Sequence, residues 1–353
     1  MIMKKIAQRI IVAGVALCAT QVVMAASWRI NYDASKGAHF ASINDAMASE
    51  SVVDGDTLYL DPGCVIYLDD QTISKAVTVI GTGWDYTDKP YVPARIDKKL
   101  YVTAKAMLIG LWVKSNLYLR CTGIEMERCR VEGTTYVGAS DYTAQHVEVR
   151  QCYMMNLITG VGQYDGRSRS LKILNSYLYS NTSGDVIMKL KDVEIVNCMI
   201  VNNYYSEEYV FSYLSNAVIK NSIIAYTRSS YKNNIFYSLD NCKMQNNVLS
   251  ADPASWSYVS TYPNNVFANS AVLTTYIVNS GAGGANLQLC ENSPAKGAGE
   301  GGIDCGPYAE GSLYPFVTYG LPEHIPHFTE AIIPANPTDG KVKVTLKIEN
   351  QNR

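Results

Sequence analysis

The stretch from residue 147 to 250 constrains this chain more than any other, because it states one pattern five times. Val147-Glu-Val-Arg-Gln-Cys152, Leu171-Lys-Ile-Leu-Asn-Ser176, Val193-Glu-Ile-Val-Asn-Cys198, Ala217-Val-Ile-Lys-Asn-Ser222 and Cys242-Lys-Met-Gln-Asn-Asn247 each start apolar, alternate, and reach an amide followed by a small or polar residue. Gln151, Asn175, Asn197, Asn221 and Asn246 stand 24, 22, 24 and 25 residues apart. A period in the twenties marks a solenoid, and alternation with period two inside each unit excludes helical repeats.

One coil of a parallel β-helix holds three short strands and three turns, which takes about 20–25 residues. The expected fold is therefore all-β, a right-handed parallel β-helix of about nine or ten coils. Equivalent residues then stack about 4.8 Å apart. Asn175, Asn197, Asn221 and Asn246 form one column, whose amides are expected to bond their copies above and below. Cys129, Cys152, Ser176, Cys198, Ser222 and Asn247 form the next. Both columns read as structural, since buried polar groups are normally satisfied rather than catalytic.

Residues 1–25 carry Lys4, Lys5 and Arg9, then an apolar run ending in Val23-Met-Ala25. This reads as a secretory signal peptide, so the expected location is secreted, periplasmic or at the cell surface. Loss of those three bases takes the net charge from −2 to −5. Such a chain has no general attraction for nucleic acid or an anionic membrane, and no later apolar run is long enough to span a bilayer. Cys129, Cys152 and Cys198 read as small buried thiols, although Cys129 and Cys152 lie on adjacent coils. Cys290 and Cys305, bracketing a glycine-rich loop, are the better candidates for a disulfide. No Cys/His spacing suggests zinc, and no cofactor pattern is present.

The solenoid is expected over residues 26–311. It opens on a short amphipathic helix at 40–48, which would cover the first open edge. The stretch FASINDAMASESVVDGDTLYLDPGCVIYLDDQTISKAVTVIGTG (40–83) resembles the N-terminal cap and first coil of the pectin-lyase-like right-handed β-helix superfamily. NSPAKGAGEGGIDCGPYAEG (292–311) is similar to the closing segment of secreted bacterial β-helix proteins of the Bacteroides type. Neither motif is specific for an activity. From 90 to 131 the period is irregular, with Gly110 and Arg128 aligning on the amide column only 18 residues apart. Residues 312–353 form a proline-rich tail ending in an alternating strand at 341–349.

The resemblance implies a site on the outer face of one sheet. Aligning 186–190, 210–214 and 235–239 as straight strands points Val186, Met188, Leu190, Val210, Leu214, Ile235 and Leu239 inward. The outward columns become Asp165/Lys189/Tyr213/Ser238, Gln163/Ile187/Phe211/Phe236 and Val161/Asp185/Tyr209/Asn234. A one-residue slip would exchange the faces. On this register Asp165, Lys189, Tyr213 and Arg167 are the candidate catalytic residues. A polysaccharide lyase must remove a proton beside a uronate carboxylate and neutralise that carboxylate. Lys189 can neutralise or act as base, Tyr213 can be base or acid, and Arg167 can hold the uronate bidentately. The bland alternative is a solvated ion pair beside an aromatic residue. Asp185, Tyr209, Phe211 and Phe236 are the candidate substrate-binding residues.

The family's calcium-binding aspartates are not matched beyond Asp165 and Asp185. Of the hydrolase motifs, Asp69-Asp70 lies in the wrong coil and no Gly-His-Gly occurs. His146 matches the turn position of Ser170 and Asp192. Tyrosine is abundant, 26 against six phenylalanines and four tryptophans, and its flat face with a hydroxyl suits sugar rings. Tyr204, Tyr205, Tyr226 and Tyr231 extend the aromatic flank, unless tyrosines stack for stability alone. Three functions stay open: a glycan-binding solenoid, a polysaccharide lyase or glycoside hydrolase on the same face, and a structural or adhesive protein whose repeats meet a cell-surface protein.

Overall fold

A computed structural model describes residues 25–84, 92–161, 167–204, 208–226, 235–250, 259–261, 264–268, 289, 291–309, 311–316, 320, 327–332 and 345–349. The signal-peptide expectation falls almost wholly outside them, as do Asp165 and Cys290. The described chain is a parallel β-helix. Its strands stack in parallel register on three faces. The first face contains Leu100–Val102, Leu117–Leu119, Thr135–Val137, Ile158–Gly160 and Phe211–Ser215. The second contains Met107–Ile109, Glu125–Glu127, Ala144–Arg150, Ser168–Leu174 and Val218–Lys220. Strand Ile187–Val196 runs through both faces. The third face is a separate ten-stranded sheet that includes Tyr153–Met155, Met199–Asn202 and Ile223–Tyr226.

Many coils turn their corners through a single residue in the left-handed region. Arg128, Gln151, Asn175, Asn197, Asn221 and Asn246 (φ 44° to 55°) form one such corner between the second and third faces. His146, Ser170, Asp192, Asn216 and Asn241 form a second. Lys189, Tyr213 and Ser238 form a third. A left-handed residue reorients the backbone, and asparagine tolerates that conformation best after glycine.

The small-residue column beside the amides answers a backbone need. The N–H of Cys129 donates to Cys152 Sγ (3.3 Å), that of Cys152 to Ser176 Oγ (3.1 Å), that of Cys198 to Ser222 Oγ (3.0 Å) and that of Ser222 to Asn247 Oδ1 (2.9 Å). Each coil thus supplies the acceptor that its neighbour's corner lacks, as burial demands. Cys129 and Cys152 are free thiols, as is Cys305, whose Sγ donates to the Asn246 carbonyl (3.2 Å). Of the two disulfide candidates, Cys305 is thus a free thiol and Cys290 lies outside the described residues.

Within the amide column Arg128 Nε donates to Gln151 Oε1 (3.0 Å), whereas Asn175 and Asn221 bond outside it. Three of its side chains, on Gln151, Asn175 and Asn221, serve a C-terminal strap. Asn221 Oδ1 accepts from Glu300 N (2.9 Å), and Asn175 Nδ2 donates to Pro307 O (3.1 Å) and Ser312 Oγ (2.8 Å). Gln151 Nε2 donates to Pro315 O, and Phe316 packs on Trp84. The strap continues past residue 311 and descends the stack coil by coil. It covers Met199, Val201, Ile223, Ala225 and Val248, which point out of the third face, with Ala295, Cys305 and Phe316. The corner through Asp192 ladders on itself. Asn216 Nδ2 donates to Asp192 Oδ1 (2.9 Å), and Asn241 Nδ2 donates to Asn216 Oδ1 (2.8 Å).

At the other end helix α1 (Ile43–Ala48) buries Ile43, Ala46 and Met47, and Ser42 caps it through Asp45 N. Asn44 Oδ1 accepts from Thr72 N (2.9 Å) and its Nδ2 donates to Asp70 O (2.9 Å), which closes the edge of strand Gln71–Ile73. The terminal strand Thr345–Glu349 pairs antiparallel with His327–Ile332 in a sheet of its own. No helix among the described residues is long and apolar enough to cross a membrane.

Ser222→Ala leaves the Cys198 N–H buried without its acceptor, so it is expected to destabilise the fold by about 1–3 kcal/mol in urea unfolding, with Ser222→Cys milder because Cys152 plays that part for Cys129. Burial pushes the Cys198 and Cys305 thiols up to about 12, which suppresses the reactive thiolate. Iodoacetamide at about pH 8 is expected to alkylate half-exposed Cys121 and to spare Cys152, Cys198, Cys242 and Cys305 until the chain is denatured, as read by peptide mapping.

Candidate functional site

The outer surface of the first face carries one continuous column: Thr72, Tyr101, Tyr118, Tyr136, Thr159, Met188, Ser212 and Tyr237 in parallel register. This corrects the straight-strand reading by one residue. Ile187, Phe211 and Phe236 belong to the inward column. Phe211 is fully buried and Phe236 is 6% exposed, their rings stacked at 5.5 Å. Phe211 and Phe236 are therefore core residues and present nothing to a substrate, while Met188, placed inward by alternation, faces out. The cause is the left-handed corner at Lys189 and Tyr213, which lets Leu190 and Leu214 return to the core after an interval of three instead of two.

Lys189, Tyr213 and Ser238 do share one column, the corner itself. The residue stacked next to Lys189 is Gly160, where an added Cβ would lie 1.9 Å from Lys189 O. Asp165, expected in that place, lies outside the described residues. Arg167 is exposed, and its carbonyl accepts from Ala144 N at the start of the second-face strand (3.0 Å).

Asp185, Tyr209 and Tyr213 come together with two residues not anticipated, Ser212 and Tyr237. One Asp185 carboxylate oxygen accepts from Tyr209 N (2.6 Å) and the other from the buried Ser212 hydroxyl. The Tyr209 and Tyr237 rings stack at 5.0 Å, and Tyr213 meets Tyr237 nearly at right angles at 5.4 Å. Tyr237 is 42% exposed. Burial pushes the Asp185 carboxyl above its ordinary value. The bonds from Ser212 and Tyr209 oppose that shift, the Glu208 carboxylate adds to it, and the Lys189 ammonium pulls the other way. The result is a carboxyl that holds its proton unusually well, framed by three tyrosines. Of the other aromatic residues expected here, Tyr226 is buried and donates to Tyr204 O (2.9 Å); Tyr205 and Tyr231 lie outside the described residues.

Further along the column, Tyr101, Tyr118 and Tyr136 stack at 4.6 and 4.7 Å with planes within 17° and 7°. The Arg120 guanidinium lies 4.6, 5.2 and 5.2 Å from the rings of Tyr101, Tyr118 and Tyr142, in cation–π range. These coils are only 17 and 18 residues long, since Tyr101, Tyr118 and Tyr136 are in register. The repeated triplets Leu-Tyr-Val, Leu-Tyr-Leu and Thr-Tyr-Val were the signal for them.

A concavity of about 480 Å³ lies on the second face along the corner of His146, Ser170, Asp192 and Asn216. Among the described residues no group of three or more His, Cys, Asp and Glu is placed to hold a metal ion. In comparisons with known proteins, no family model and no curated protein matches the chain.

Because the Asp185 carboxyl is raised, the folded state favours its protonated form. Its contribution to stability is full below the ordinary carboxylate value of 3.8 and is lost as pH rises through the raised one. Wild type is therefore expected to lose stability relative to Asp185→Asn across that window, measured by urea unfolding between about pH 3.5 and 7.

Proposed function

We propose that the chain is an exported β-helix protein of the pectin-lyase-like type that binds polysaccharide along the outer surface of its first face. The observation that carries this reading is the exposed Tyr237 ring, backed by Tyr209, met edgewise by Tyr213 and set beside the Asp185 carboxyl. Such a place offers an apolar face for sugar C–H groups next to acceptors for hydroxyls. A glycan lying along the solenoid axis would continue over Met188 towards the tyrosine row. That row stacks ring on ring, so it displays edges and hydroxyls instead of open faces, and it supports the bound chain more than it grips it.

A second reading has its own observation. Lys189 and Tyr213 occupy the same corner on consecutive coils beside Asp185, an arrangement suited to lyase chemistry on a uronate.

Glycan arrays followed by calorimetry are expected to find a retained polysaccharide with no new reducing ends and no unsaturated product. Tyr237→Ala should weaken it by roughly 1 kcal/mol, about five- to tenfold in Kd. Retention of no glycan, or affinity indifferent to Tyr237→Ala and Tyr209→Ala, would discard the reading. Release of unsaturated uronates that stops with Lys189→Ala or Tyr213→Phe would establish the second.

A further inference from the structure

The concavity on the second face is built from other residues than the first-face cluster, and its chemistry is different. Its volume of about 480 Å³ lies within the range of ligand sites. One wall is the left-handed corner, where His146, Ser170, Asp192 and Asn216 stand in register on four successive coils. The opposite wall is the outward row Glu148, Lys172 and Glu194. Buried Val147 and Val193 lie between them. At a strand spacing of about 4.8 Å, four coils span about 14 Å along the solenoid axis, so the groove is long, narrow and polar with an apolar base.

We propose that this groove is a binding site for a linear, uncharged glycan lying along the solenoid axis. Three observations carry the inference. First, each carboxylate of the groove already faces a cation, although Arg150, which meets Glu148, is shared with Glu125 and Glu127 outside the groove. Lys172 Nζ is 3.6 Å from Glu194, Arg169 Nε is 3.4 Å from Asp192, and Arg150 Nη1 is 3.0 Å from Glu148. A charged ligand would have to displace one of these partners, and three carboxylates oppose an anionic chain in particular. Hydroxyls need displace nothing, because they can donate to the unused carboxylate lone pairs and accept from Lys172.

Second, the polar atoms can be reached: the Lys172 and Glu194 side chains are 56% and 41% exposed. Third, no free backbone edge among the described residues borders the groove. Strands Ala144–Arg150, Ser168–Leu174 and Ile187–Val196 are already paired in parallel with neighbours on both sides. An extended peptide, which docks by adding a strand to an open edge, therefore has nothing to pair with. What the groove offers is a row of side-chain carboxylates, amide, hydroxyl and ammonium set at the strand spacing of about 4.8 Å.

The test works in full-length Tyr237→Ala protein, which weakens the first-face site, and the groove variants tell which of the two sites a glycan occupies. Neutral gluco-, xylo-, manno- and galacto-hexasaccharides are titrated by calorimetry, with an oligogalacturonide and a glucosamine oligomer of the same length alongside. At least one neutral chain is expected to bind more tightly than either charged oligomer, and Lys172→Ala and Glu194→Gln should each weaken it at least tenfold. Both side chains are exposed, so unchanged thermal melts should accompany the loss. Binding of no neutral chain overturns the proposal, as does tighter binding of a charged oligomer or neutral binding that ignores both substitutions. If Tyr237→Ala proves harmless to all glycan binding while the groove variants abolish it, the first-face reading fails and this one stands.

Discussion

The architecture depends on one residue at each of many corners that accepts a left-handed backbone. A non-glycine residue there is held at a cost of order 1–3 kcal/mol, and it persists only where its surroundings over-determine it. Here such residues stack on one another from coil to coil, and the small side chain beside the amide corner receives the N–H that the bend leaves without a backbone partner. The strain and its compensation recur together, coil after coil. Asparagine predominates at the amide corner because it tolerates the conformation and carries hydrogen-bonding groups free to work outside the coil.

That outside work joins the corners to the C-terminal strap. The third face points apolar side chains in both directions, so a three-faced coil alone would leave Met199, Val201, Ile223 and Val248 in water. The strap removes that surface, and Asn175, Asn221 and Gln151 fix its path with directed hydrogen bonds. With that stretch of the third face covered, the outer surfaces of the other two stay open. The first is aromatic around a protonation-prone carboxyl; the second carries carboxylates that each face a cation.

The period of 22–25 residues and the alternation within each unit were enough to read the coil, its parallel stacking, the small-residue column and the capping helix. Three things were not legible. Alternation alone runs straight through Lys189 and Tyr213, but a left-handed residue there shifts the inward interval from two to three. This moved Phe211 and Phe236 into the core and Met188, Ser212 and Tyr237 out of it. The short coils around Tyr101, Tyr118 and Tyr136 looked like an interruption because the period had been set by the longer ones. Asn175 and Asn221 were expected to bond their neighbours, yet their partners lie more than 75 residues away along the chain, at Pro307 and Glu300, and no local pattern reveals so distant a pairing. Of the candidate residues, Asp185, Tyr209 and Tyr213 were found together because they lie at the corner or just before it, where the register error had no effect.

The strap also bears on how such a chain can change length over time. A solenoid can in principle gain or lose a whole turn without disturbing its neighbours, since each layer touches only the next. Here one continuous segment reaches from the layer of Asn246 to that of Trp84, meeting Asn221, Asn175 and Gln151 on the way. Inserting a layer inside that span would leave the segment about 4.8 Å short, and deleting one would leave it slack. The strap thus works as a ruler that fixes the number of layers between those two points, and duplications are tolerated only where the ruler does not reach.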